Sequence, residues 1–164
     1  MPYKFEHSAY LTDHEVKALF DRVVAEGLYE HFFHSGQCKT ANDWLSYVRA
    51  PGTWMFRVLR NDELVAFAML DNFSGRAAWF HHCHFRAGWR HTKNTAKACL
   101  LWLADALDGY VSTLVGITPA SNKLAVKYAE KCGFEVMGTL PHLLNTFNGI
   151  EDAVISKFNL EALR

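Results

Sequence analysis

NKLAVKYAEKCGF, residues 122–134, is the stretch on which the fold turns. Leu124, Ala125, Tyr128, Ala129 and Cys132 recur at three- and four-residue spacing, which predicts the apolar face of a helix starting near Pro119 and ending at Gly133. Gly133 closes that helix in a conformation a side chain would resist, and Phe134 then drops into a core as a strand begins. Asn122, at the helix start, is placed either to cap it or to donate to a ligand carbonyl or phosphate.

Working upstream, residues 111–117 read as a buried strand, and before them Ala96, Cys99, Leu100, Leu103 and Leu107 share a helix face closed by Gly109. Trp54–Arg60 and residues 64–70 are rich in β-formers and joined by Asn61, Asp62 and Glu63, a hairpin. A turn at Ser74, Gly75 and Arg76 leads to a third strand, residues 77–85. The helix between that strand and residues 111–117 permits a right-handed crossover, so these two strands should run parallel. Near the start, Thr12 with Glu15 caps a helix whose Val16, Leu19, Phe20, Val23 and Val24 face inward until Gly27; Ala41–Arg49 forms a second helix ending before Pro51. Residues 29–37 are an irregular link. Two strands, 134–140 and 153–158, close the chain. The expectation is an α/β fold, an α+β mixed sheet that is mostly antiparallel with flanking helices.

With 164 residues, half of them hydrophobic, the chain suits one domain over residues 1–164. Lysine plus arginine equals aspartate plus glutamate at 17 each, so no overall field draws it to nucleic acid or an anionic membrane, and a small partner is favoured. Cys38, Cys83, Cys99 and Cys132 form no C-x-x-C pair, which suits reduced thiols in a cytoplasm. Residues 1–10 lack a basic segment followed by an apolar run, and no stretch approaches the ~20 apolar residues of a membrane span.

The 122–134 stretch resembles the N-x-x-A…G-F signature of the GNAT acyltransferases, with Asn122, Ala125, Gly133 and Phe134 at matching intervals and Gly138 continuing the pattern. The likeness in element order runs from about Thr12 to Phe158. It implies an acyl-coenzyme A N-acyltransferase fold with acetyl-CoA as cosubstrate, no metal, and direct transfer to the amine of a small molecule or peptide. It also implies two neighbouring strands that splay apart for the pantetheine arm, and it allows a homodimer. The family's (Q/R)-x-x-G-x-(G/A) segment, which sets backbone N–H groups and a helix N-terminus against the pyrophosphate, maps either to Arg90, Lys93 and Thr95 or to His91, Asn94 and Ala96. Neither register has the middle glycine. Phe85, Arg86 and Thr92 complete the expected cofactor set, with Asn122, and Arg86, Arg90, His91, Lys93 and Lys97 give the turn cations for phosphate.

Acetyl transfer needs a neutral amine, a donor to the oxyanion and a proton for the departing thiolate. In His81-His82-Cys83-His84, strand alternation sends His82 and His84 to one face, and His81 and Cys83 to the other. His82 and His84 are similar to a pair found in some arylalkylamine acetyltransferases of this superfamily, which implies a general base; packing on the sheet is the alternative. Both could reach one zinc, but no third or fourth ligand is evident, so no metal is expected. The resemblance implies an oxyanion donor among the backbone N–H groups near Phe85 or Arg86. Relatives carry an acid tyrosine seven residues after the asparagine, where Ala129 stands here. Tyr128 is one step away, so either Tyr128 is the acid or it packs and water is. For the acceptor, the resemblance points to the first two helices, with Tyr29, Phe32, Phe33 and Trp44, and to the loop joining the last two strands, with His142. These suggest an apolar or aromatic amine. Two rival readings remain: a catalytically degenerate binding or structural module, and an acyltransferase using a longer acyl donor.

Overall fold

The computed structural model describes residues 3–164; Met1 and Pro2, which the single-domain expectation includes, lie outside the described residues. Seven strands lie in the order β1-β2-β3-β4-β5-β7-β6. They are β1 (Tyr3–His7), β2 (Trp54–Arg60), β3 (Glu63–Ser74), β4 (Ala77–His84), β5 (Thr113–Pro119), β6 (Glu135–Thr146) and β7 (Gly149–Asn159), with helices α1 (Asp13–Ala25), α2 (Tyr29–Phe32), α3 (Ala41–Arg49), α4 (Thr92–Ala106) and α5 (Lys123–Lys131). The β1–β2, β2–β3, β5–β7 and β6–β7 pairs are antiparallel, and β4–β5 is parallel, as the crossover argument requires.

The chain forms two compact units, one comprising the chain to Asp71 with His81–Thr92, the other Asn72–Phe80 with Lys93–Arg164. In the first, Thr12 and Thr40 each close a capping box, with Glu15 and Asp43, and so start α1 and α3 where the sequence predicts. Val16, Leu19, Phe20 and Val23 of α1 and Trp44 and Val48 of α3 are buried in one core with Met55, Phe67, Met69, Cys83 and Phe85 from the strands. Val24, expected on the same face, is half exposed. Residues 29–37 are less irregular than predicted, since Tyr29–Phe32 makes one helical turn. β1, which pairs Tyr3–His7 with Arg60–Phe56, had no separate periodic signal in so short a run.

In the second unit α4 buries Thr95, Ala96, Cys99, Leu100, Leu103 and Ala104. The parallel register joins Ala77 to Thr113, Ala78 to Leu114 and Trp79 to Val115. Gly133 ends α5 at φ +94, where an added Cβ would also meet the Phe158 ring at 3.1 Å, and Phe134 is buried against Phe80 and Phe158. This is the arrangement the Gly133-Phe134 pair predicts. The α5 face differs: Leu124 is 83% exposed, while Ala125, Tyr128, Ala129 and Cys132 are partly buried. β6 and β7 are longer than expected because the hairpin continues to a tight turn at Phe147 and Asn148, after a bulge between Leu140 and Leu144.

Candidate functional site

β4 carries its histidines as alternation predicts. His82 and His84 share a face with ring centroids 4.1 Å apart, edge to face. Burial lowers the His84 pKa to about 4, and burial followed by the His84 charge pushes His82 well below the ordinary value. An imidazole so depressed takes a proton from an ammonium poorly. Burial thus holds the pair neutral at pH 7 and weakens it as a general base. Sequence spacing gave their shared face but not their desolvation.

On the opposite face His81 meets two residues that sequence reasoning did not select. His81 Nε2 lies 3.0 Å from Asp71 Oδ1, and the Tyr47 hydroxyl donates to Asp71 Oδ2. Asp71 is buried, and the Tyr47 phenol is raised by burial and then by its hydrogen bond to, and the charge of, Asp71. Tyr47 was hidden in an ordinary helix pattern and Asp71 at the end of an apolar strand. An acid after six buried β3 residues was the one signal available.

After β4, Arg86–His91 forms a 3₁₀ turn that leads directly into α4. Phe85 N–H donates to Val65 O at 3.0 Å and Arg86 N–H to Glu26 Oε2 at 2.6 Å. The Phe85 and Arg86 N–H groups themselves are thus engaged within the fold. The turn packs closely on β3, because a Cβ at Gly88 would lie 2.6 Å from Val65 O. Gly88→Ala should displace the turn, cost about 1–3 kcal/mol, and remove any thermal stabilisation by coenzyme A; an unchanged melting temperature with and without coenzyme would show that the turn has slack.

Of the remaining expected cofactor residues, Arg90, Lys93 and Asn94 are exposed, and His91 and Thr92 are partly so. Thr95 is fully buried and Ala96 nearly so, hence neither offers its side chain to a phosphate: their place in the expected set is corrected to core packing. Asn122 Oδ1 accepts from Ala125 N–H at 3.1 Å and caps α5, the first of its two predicted roles. Tyr128 is partly buried, its phenol pushed up by burial first and then by Cys132, which lies within hydrogen-bond reach. That weakens it as an acid for a thiolate.

The expected acceptor surface is mostly core. Trp44 and Phe33 are fully enclosed, and Trp44 Nε1–H donates to Val16 O at 3.0 Å. Phe32 packs edge-on against Phe33 and Phe67, each at 4.8 Å, and Tyr29 donates its hydroxyl to Cys38 O at 2.8 Å; of the four expected aromatics these two keep some exposed area. His142 is not in a connecting loop. It sits at the β6 bulge with φ +54, its N–H donating to Asp152 Oδ1 at 3.0 Å. All four cysteines are free thiols. Among the described residues no helix is long and apolar enough to cross a membrane, and no three His, Cys, Asp or Glu side chains gather as a metal site would need.

No protein-family model matches the chain, and no curated protein matches it in sequence. Solved structures do. An acetyltransferase from Salmonella typhimurium that modifies the N-terminal serine of a ribosomal subunit protein superposes with a TM-score of 0.78, covering 97% of this chain and 95% of its own at 11% identity. A ribosomal-protein alanine acetyltransferase from Vibrio fischeri reaches 0.75 over 100% and 96% at 10% identity. The spermidine N-acetyltransferase from Vibrio cholerae, solved with CoA and spermine, reaches 0.75 over 99% and 98% at 12% identity.

Proposed function

We propose, from the GNAT acetyltransferase fold that this chain has, that it is one catalytic domain transferring an acetyl group from acetyl-CoA to a primary amine of a small molecule or peptide. The observation that carries this reading is the start of α4. A fifteen-residue helix begins there with Arg90 and His91 just before it and Lys93 and Asn94 in its first turn. The first N–H groups of a helix lack partners in the helix itself and its dipole favours an anion, so cations at that end fit a pyrophosphate. With a net charge of zero over the whole chain, this local cluster is a feature of the site. Bound there, acetyl-CoA supplies the activated acyl thioester. Arg90, Lys93 and Asn94 hold its phosphates. Water relays the proton to the thiolate, since the Tyr128 phenol is raised.

The neighbours acetylate a ribosomal-protein N-terminus or bind spermine, which supports an amine acceptor in general. Free thiols suit a reducing cytoplasm. A homodimer belongs to the reading as well: β6 ends the strand order and exposes Val136, Met137 and Leu140, an edge that a second copy would cover. The rival reading, a binding module without turnover, draws on the engaged Phe85 and Arg86 N–H groups and on Lys93 or Asn94 standing where the motif has its middle glycine.

Coenzyme A at about 100 times its Kd should stabilise the chain by about 2.7 kcal/mol, a rise of roughly 5–10 °C for a chain this size. Free-thiol release from acetyl-CoA should then appear with at least one member of a panel of peptides, polyamines and small amines. No thermal shift would remove the cofactor site; a shift without thiol release from any acceptor would favour the binding module.

A further inference from the structure

We propose that His81 receives the acceptor amine, with Nδ1 first accepting a hydrogen bond from its ammonium and then taking the proton, while Asp71 and Tyr47 position the ring. This rests on the acetyl-transfer reading above. Phe67 and Met69 on β3, Cys83 on β4 and Phe85 just after it face the buried core shared with α1 and α3. At the next step on the same faces the two rows change from apolar to Asp71 and His81, and Tyr47 of α3 joins them. A core continued with apolar side chains would need no such cluster, because a buried carboxylate must be matched by donors to be tolerated.

The donors are there, and they orient the third group. Asp71 accepts from Tyr47 O–H at Oδ2, and Oδ1 faces His81 Nε2 at 3.0 Å. A carboxylate only accepts, so Nε2 carries a proton, and in the neutral ring the lone pair is on Nδ1. The His81 side chain remains 30% exposed, against 7% for Asp71, so a ligand can reach the ring while the carboxylate stays sheltered. A base held in one tautomer by a buried acid is the arrangement that proton abstraction uses. His82 and His84, on the other face, are kept neutral by burial.

The step balances as follows. One ammonium proton passes to His81 Nδ1, giving an imidazolium beside the Asp71 carboxylate. The freed amine lone pair forms the C–N bond at the thioester carbonyl as the C–S bond breaks. The sulfur leaves with the electron pair and is protonated by the second proton that nitrogen gives up. Tyr47, whose phenol is raised, shares Asp71 with the ring, and Cys83 follows two residues along the same strand face with its thiol pushed by burial up to about 12.

The test uses the full chain labelled with ¹⁵N at histidine. Long-range proton–nitrogen spectra should show His81 as the Nε2–H tautomer. Its Nδ1 resonance should shift on addition of a tetrapeptide amide with a free α-amine or of spermidine, and stay put with the N-acetylated tetrapeptide. Asp71→Asn should erase the tautomer bias, and Tyr47→Phe should weaken it. In turnover, His81→Gln and His81→Asn should lower kcat by about 10²- to 10⁴-fold with the thermal shift from coenzyme A retained. The inference is overturned if both His81 variants keep kcat within threefold of wild type, or if neither amine moves the His81 resonance. Should no amine be acetylated by wild-type protein, the acetyl-transfer reading fails by itself, and the spectra still decide whether His81 binds amines.

Discussion

Replacing Trp44 by alanine should destabilise the protein by about 3–5 kcal/mol and lower its melting temperature by roughly 10 °C or more, without a selective effect on amine binding. Trp44 is fully buried, with its ring centroid 5.5 Å from that of Phe33 and 5.6 Å from that of Phe67. Truncation removes those contacts, leaves a cavity between α1 and the strands, and deletes the Nε1–H bond that ties α3 to the Val16 carbonyl. Urea melts of Trp44→Ala and Trp44→Phe measure the loss, with the phenylalanine variant retaining the larger part of the packing. A loss below about 1 kcal/mol together with a raised KM for the amine would return Trp44 to a substrate surface.

Acidification from pH 6.5 to 4 should remove up to about 3 kcal/mol of stability through His84 alone. Its folded pKa is lowered to about 4 by burial, so in that window the unfolded chain binds a proton that the folded chain refuses. The contribution is complete above the unfolded value near 6.5 and is lost as the pH falls through 4. His82 and His7 act in the same direction, both lowered by burial first. Carboxylates held down by donors, such as Glu6 beside Lys4 and Arg57 and Asp43 at the α3 cap, give way at lower pH and form a separate acid limb. Urea-derived stabilities at pH 7, 5.5 and 4.5 should therefore fall less steeply for His84→Gln than for wild type. Parallel slopes would mean that solvent reaches His84 and that it titrates normally.

The elements that periodicity and caps mark were legible one at a time. The Thr12 and Glu15 box, the hairpin through Asn61 and Asp62, and the Gly133-Phe134 step all depend on neighbours within a few residues, so the sequence alone carries their instruction. Two residues of that hairpin turn adopt positive φ, as asparagine and aspartate tolerate better than most. The site was less legible. His82 and His84 were correctly placed on one face, yet their usefulness as bases depended on desolvation by residues far away in the chain. Phe85 and Arg86 looked available as N–H donors until Val65 and Glu26, distant in sequence, proved to be their partners.

By itself the sequence determined the order of helices and strands apart from β1 and α2, the parallel crossover from β4 to β5, and the strand face on which each β4 histidine lies. These follow from backbone periods and end signals, which are local. Only the tertiary structure decided which aromatic residues of the first helices were core, that Asp71 and Tyr47 meet His81, and that His82 and His84 are held neutral. Burial and electrostatic environment are summed over segments that the chain brings together from 10, 24 and up to 60 residues apart, and no local pattern records that sum.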